Sequence, residues 1–282
     1  MTSPTGPTLR SLTHRLAVGV EPVDAATGGR IPPPFHILED GRPLPREEVV
    51  WMAREGRDVT QKLPVLERHA TCRHVLRYRP GADAHHVDVR LVEGPQARAP
   101  RRFVPRRLRI PLLDAAEADS RATGYRIRRP HLFPGAAYPV PTSATGLRGR
   151  VVREGGPVRW ARVHATHPGS GTILARAHGD DRGEFFLLLG PGALPIGSSG
   201  EPLDLEIHVQ APSTPPDPDP PELEVADPLW DLPLEVLPEE ATSGAMALGH
   251  EPPDGYTPAE SRTVTVPLGR IHSETEAFEI PG

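Results

Sequence analysis

Cysteine and lysine are almost missing from this chain. The single cysteine, Cys72, leaves no internal disulfide to form, which excludes a small secreted scaffold held by cross-links and fits a reducing compartment. In TCRHVLRY it precedes alternating apolar residues, so it reads as a small buried thiol on a strand. Lys62 is the only lysine; the other basic side chains are arginines. No apolar run approaches the ~20 residues of a membrane span. The opening MTSPTGPTLRSLTHRLAVGV lacks the apolar core and small-residue cleavage site of a signal peptide. The expectation is a soluble product of the cytoplasm. Uninterrupted helical stretches are also scarce, because 37 prolines in 282 residues break almost every long helix.

What is present is turn chemistry between short alternating runs. With 27 glycines and no Gly-X-Y period, collagen is excluded and short strands joined by loops fit best. Residues 1–11 are polar and read as a flexible N-terminus. Residues 12–113 read as a β-rich domain: RLAVGV, the pair RHVLRYRPG and HHVDVRLVEG, and RRFVPRRLRIPLL alternate apolar and polar side chains. PLPREEVVWMAREG, 43–56, is the best helix candidate, with Pro45 in its first turn and Gly56 to close it. Residues 114–145 form an extended, Pro-rich connector, with one helical turn in DAAEADSRATG. Leu132, Phe133 and Tyr138 predict that it packs along its neighbours. From Gly146 to the end lies a second β-rich domain, interrupted by an acidic, Pro-rich excursion at 211–258 with little expected regular structure.

The stretch HGDDRGEFFLLLGPG, 178–192, reads either as a ligand cluster or as a turn feeding a buried strand. Short polar residues beside Gly183 favour the turn, with Asp180 or Asp181 bonding its own backbone. Phe185, Leu187 and Leu189 then share one face, and Phe186 and Leu188 the other. Both faces are apolar, so something beyond the second sheet must cover this strand.

Residues 146–210 carry Gly149 and Val151; Gly156, Pro157, Ala161 and Val163; Asp180, Asp181, Gly183 and Phe185; Gly190 and Gly192. This spacing resembles the carboxypeptidase regulatory-like domain, a transthyretin-type β-sandwich. The resemblance implies a scaffold or adhesion role without an active site of its own. FVPRRLRIPL followed by HLFPGAAYPVPTSATGLRGRVV is similar in layout to uncharacterised proteins of phage-tail-like contractile injection systems, which implies a structural subunit.

Signals for catalysis are weak. His36 and Glu39 have the H-x-x-E spacing of metallocarboxypeptidase ligands, but residues 1–145, which precede the second domain and are poor in helix signals, cannot supply the α/β domain that enzyme needs. His164 and His167 point to opposite faces of a regular strand. His86 and Asp88 share a face but lack a third ligand. No G-x-S-x-G, P-loop or G-x-G-x-x-G is present.

Charge is segregated. Residues 1–150 hold 25 basic and 15 acidic side chains, and residues 201–282 hold 2 and 18. Arg101, Arg102, Arg106, Arg107 and Arg109 are closely grouped. Three readings follow, in this order: a solvated strand edge, a partner for the acidic segment 214–240 of the same or a neighbouring chain, or a nucleic-acid contact. The last has only Phe103 and Tyr125 nearby for stacking.

The resulting expectation is a non-enzymatic, mostly β protein of two β-sandwich domains, without cofactor or metal. It would work in several copies, with other subunits as partners, in the cap or baseplate of a contractile injection particle and be released with it. The residues expected to make contacts are Arg101, Arg102, Arg106, Arg107, Arg109, Phe133, Tyr138, Trp160 and Trp230. Alternatives are a carbohydrate- or protein-binding adhesion module and, third, a metal-dependent hydrolase.

Overall fold

The computed structural model describes residues 16–31, 36–39, 66–68, 74–77, 85–93, 101–190, 192, 201–216, 227–239 and 244–282. The helix expected over 43–56 and Cys72 lie outside the described residues. The chain is mostly β and builds several sheets.

The first unit contains β1 (Leu16–Val20), β2 (Val23–Asp24), β3 (His36–Glu39), β4 (Glu67–Arg68), β5 (His74–Arg77), β6 (His86–Val92) and β7 (Arg106–Pro111). Helix α1 (Ala115–Ser120) follows, opened by Asp114, whose carboxylate accepts from Glu117 N at 2.7 Å. A single 3-10 turn leads to β8 (Ile127–Arg128) and β9 (His131–Leu132). The second unit contains β10 (Gly146–Arg153), β11 (Gly156–Pro157), β12 (Arg162–Thr166), β13 (Ile173–His178), β14 (Glu184–Leu188) and β15 (Leu203–Pro212). After β16 (Leu234–Val236) it resumes with β17 (Tyr256–Val266), β18 (Ile271–Ser273) and β19 (Phe278–Glu279).

In the second unit, β10 is central to one sheet, with β14 and β11 antiparallel to it and β18 and β19 parallel. The other sheet runs β13-β12-β15-β17, antiparallel throughout. Period-two alternation decides which side chains go inward. Leu205, Ile207 and Val209 from β15 meet Leu147, Phe185, Leu187 and Phe278 from the facing sheet in one core. Asp204, Glu206 and His208 alternate onto the outer face.

The first unit has sheets β4-β5-β1-β8 and β16-β7-β6-β3, with β2 and β9 as a separate parallel pair. Val18, Val20, Val89, Leu91, Leu108 and Ile110 share its core. Residues 12–113 do not close this core alone. Phe186 of β14, Tyr138 of the connector, and Leu237 and Ala247 of the excursion all enter it. β14 is thus buried on both faces, Phe185 and Leu187 toward its own sandwich-like core and Phe186 toward the first unit.

The excursion departs most from expectation. Its described part is ordered, and β16 adds to β7 of the first unit in parallel register, Leu234 opposite Arg107 and Val236 opposite Arg109. The second unit therefore donates a strand to the first unit's sheet.

The turn before β14 rests on Gly183, whose φ is +74° and where an added Cβ would lie 2.6 Å from the Val151 carbonyl oxygen. Gly155 has φ +77° but open space around it. Gly155→Ala is expected to cost about 1 kcal/mol, the left-handed backbone penalty alone, and Gly183→Ala about 2 kcal/mol or more, because the clash adds to it. Urea midpoints at unchanged m-value measure both; equal losses would contradict the turn geometry.

Candidate functional site at the seam between the units

The seam is organised by a carboxylate. Glu235, in the middle of β16, has 0% side-chain exposure, and so has Arg106. Arg106 Nη2 donates to Glu235 Oε2 at 2.5 Å and Nε to Oε1 at 3.1 Å. Arg162 Nη2 of the second unit donates to Oε1 at 3.0 Å. The remaining Arg106 donors reach the carbonyls of His131 (2.7 Å), Ala247 (2.8 Å) and Met246 (2.6 Å). The guanidinium fork thus gathers β9, the 244–250 turn and β16 around one point.

Two more acids of the excursion act alike. Asp231 accepts from Arg159 Nε at 2.6 Å and from Trp160 Nε1 at 2.8 Å. Asp227 accepts from Arg90 at 2.6 Å. Leu229 and Leu232, beside these acids in the chain, pack with Val92, Val104 and Trp160 in a third apolar cluster. Trp160 itself has φ 62°, a conformation costly for a bulky residue. Hydrogen bonds from Tyr256 Oη (3.0 Å) and Arg162 Nη1 (2.8 Å) to its carbonyl hold it there.

The other anticipated residues also find internal contacts. Arg101 pairs with Asp181 at 2.5 Å, and Arg102 with Glu93. Arg109 makes a two-pronged bond to Asp88 across the strand pair, at 2.8 and 2.7 Å. The guanidinium holds the Asp88 carboxyl below its ordinary range, against the opposing effect of burial. Arg107 is half-buried opposite Arg90. Tyr138 donates its hydroxyl to Asp24 at 2.7 Å; burial and that bond raise its pKa. Trp230 is half-buried. Asp180 Oδ1 accepts from the backbone N–H groups of Arg182 (2.9 Å) and Glu184 (3.0 Å), so this carboxylate shapes the turn. Burial raises its pKa, and those two bonds lower it. His36 and Glu39 lie on β3, and His86 is exposed. Among the described residues, no three His, Cys, Asp or Glu side chains gather as they would around a metal ion. Among the same residues, no helix is long and apolar enough to cross a membrane.

A group of histidines escaped sequence reasoning because its members are far apart in the chain. On the outer face of the β13-β12-β15-β17 sheet, Arg176, His164 and His208 stand in one cross-strand row. The rings of His164 and His208 stack at 4.8 Å. Burial lowers the pKa of His164, helped by His208 and Arg176. His178 is buried at the seam, stacked on Phe133 at 4.0 Å, with Nε2 3.3 Å from the Gly249 carbonyl. Beside it opens a cleft of about 230 Å³ lined by His131, Phe133, Leu174, Arg176, Leu188 and His250, with Pro134 and Gly190. Both units and the excursion contribute to its walls.

Comparison with family models, curated proteins and solved structures finds no match to this chain.

Two outcomes follow from the seam. Glu235→Leu strands two buried guanidiniums and is expected to cost about 3–5 kcal/mol, against under about 1 kcal/mol for the more exposed Arg109→Ala. Chemical denaturation compares them, and a Glu235→Leu loss no larger than that of Arg109→Ala would refute the central role of Glu235. The second outcome concerns acid. Burial, and then Arg162 and Arg106, drive the His178 pKa well below 6.5. Below pH 6.5 the unfolded chain takes up a proton that the folded chain refuses, so stability is full above that value and falls as pH drops toward the depressed one. His178→Gln cannot titrate, so its stability should decline less than the parent's between about pH 7 and about pH 5. Identical slopes would show that His178 does not carry the effect.

Proposed function

We propose that this chain is a non-enzymatic structural subunit of a phage-tail-like contractile injection particle, placed in several copies at the cap or baseplate. The observation that carries this reading is the seam. Several acids that could serve catalysis are instead committed to structure: Glu235 to arginines of both units, Asp227 to Arg90 of the first unit, Asp231 to Arg159 and Trp160 of the second, and Asp180 to its own turn. Such a chain is built as a block whose parts keep fixed relations, which suits a part that transmits load or sets spacing.

The layout resemblance supports the same reading. FVPRRLRIPL contains Arg106, and HLFPGAAYPVPTSATGLRGRVV contains Phe133 and Tyr138. All three take part in the contacts between the units. The second unit is proposed to be a carboxypeptidase regulatory-like sandwich; its two sheets around one core and its acidic turn at Gly183 support that assignment.

The test is isolation of particles from cells that express this gene with its chromosomal neighbours. Mass spectrometry of intact particles should find the chain at a fixed stoichiometry above one copy. Recovery of the chain only as a free monomer, absent from every particle fraction, overturns the proposal.

A further inference from the structure

The cleft beside His178 has a chemistry that the seam does not use. Its basic groups come from three separate elements: Arg176 from β13, His131 from β9, and His250 from the turn that ends the excursion. Among the described residues, no carboxylate lines the cleft with them. The half-buried Arg176 has no hydrogen-bond or ion-pair partner among the described residues, whereas Arg101, Arg106, Arg159 and Arg162 all have carboxylates. Asp24, the acid whose charge acts on His131, is already committed. Its Oδ1 accepts from Ala26 N at 2.9 Å, and its Oδ2 from the hydroxyls of Thr27 (2.9 Å) and Tyr138 (2.7 Å).

We propose that this cleft binds a small phosphate-type oxyanion, with Arg176, His131 and His250 as its donors. A carboxylate presents its acceptors in one plane, which a single guanidinium fork satisfies. Donors arriving from three elements match a tetrahedral anion that accepts on several sides. Phe133, Pro134, Leu174 and Leu188 add apolar walls, so the phosphate can be free or carried on a small organic group. Its charge would answer a repulsion already present. Burial lowers the pKa of both His131 and His250; Arg106 adds to this at His131 against Asp24, and Arg176, His131 and Arg106 add to it at His250. A bound anion reverses the balance, so binding and protonation of the two imidazoles reinforce each other. Because the walls come from both units, the ligand also fastens the seam.

The experiment is an NMR titration of the full chain, following the imidazole resonances of His131 and His250 at constant ionic strength. Inorganic phosphate and phenyl phosphate are the two probes, and chloride is the control. Saturable shifts with at least one probe are expected, with dissociation constants on the order of 1 mM or tighter and tighter at about pH 6 than at about pH 8. Stronger binding of phenyl phosphate assigns the apolar walls to an organic phosphate; equal binding assigns the site to phosphate itself. Arg176→Gln, and independently His250→Gln, should weaken binding by about tenfold or more while the dispersed spectrum persists. No saturable shift with either probe, or affinity unchanged in both variants, overturns the proposal. The readout is independent of whether the chain is found in a particle.

Discussion

A carboxylate with no exposed surface is tolerable only because two guanidiniums share it. Removing Glu235, Arg106 and Arg162 from water costs several kcal/mol per ion, and their attraction repays this only with good geometry and with the remaining hydrogen-bonding capacity used. Both conditions hold at Arg106, while Arg162 keeps one buried donor, Nε, without a partner among the described residues. Arg106 has bonds from Nε, Nη1 and Nη2, and three of them end on backbone carbonyls. Such a group adds little net stability over an apolar core, but it penalises every misplacement severely. Shifting β16 by one residue along β7 would expose Glu235 and strand both arginines. The ionic centre therefore fixes the register of a strand too short to fix its own.

The rest of the seam follows from that peg. Once β16 is seated, the chain just before it must run past Trp160, and there Asp231 and Asp227 meet Arg159 and Arg90. Leu229 and Leu232 of the same segment are buried with Val92, Val104 and Trp160, so the acids come with an apolar cluster and not as isolated surface pairs. On the far side, Phe186 and Tyr138 carry the first unit's core onto the back of β14. Charge decides alignment here, and apolar burial supplies the adhesion.

Much of the strand content was legible in the sequence because alternation in LDLEIHVQ or LRIPLL is a local signal. So was the double burial of FFLLL, where two apolar faces demand two covers. The destination of the excursion was not. In LEV, the rule of apolar in and polar out places Leu234 and Val236 inside; the structure buries Glu235 and leaves Val236 half-exposed. Only partners 129 and 73 residues away, Arg106 and Arg162, explain the inversion, and local pattern holds no record of them. In the same way RRLRI reads as a basic strand, yet its period of two already puts Arg106 on the face of Leu108 and Ile110. The cleft was the least legible feature. His131, Arg176 and His250 share no spacing, and only the fold brings them together.

The uneven charge of the chain changes meaning once the fold is known. A basic first half and an acidic last third suggest copies attracting one another end to end. Three acids of the excursion instead turn inward: Asp227, Asp231 and Glu235 all end on arginines of their own chain, while Glu239, Glu251 and Asp254 stay exposed. In these three pairs the attraction is spent within the molecule. Edge pairing is also discouraged, because β17, the outermost strand of its sheet, is polar along most of its eleven residues, and Pro258 removes one backbone donor. The seam is thus a condition for the fold itself, so a substitution at Glu235 would spoil the chain's own architecture before any contact with a neighbour is in question.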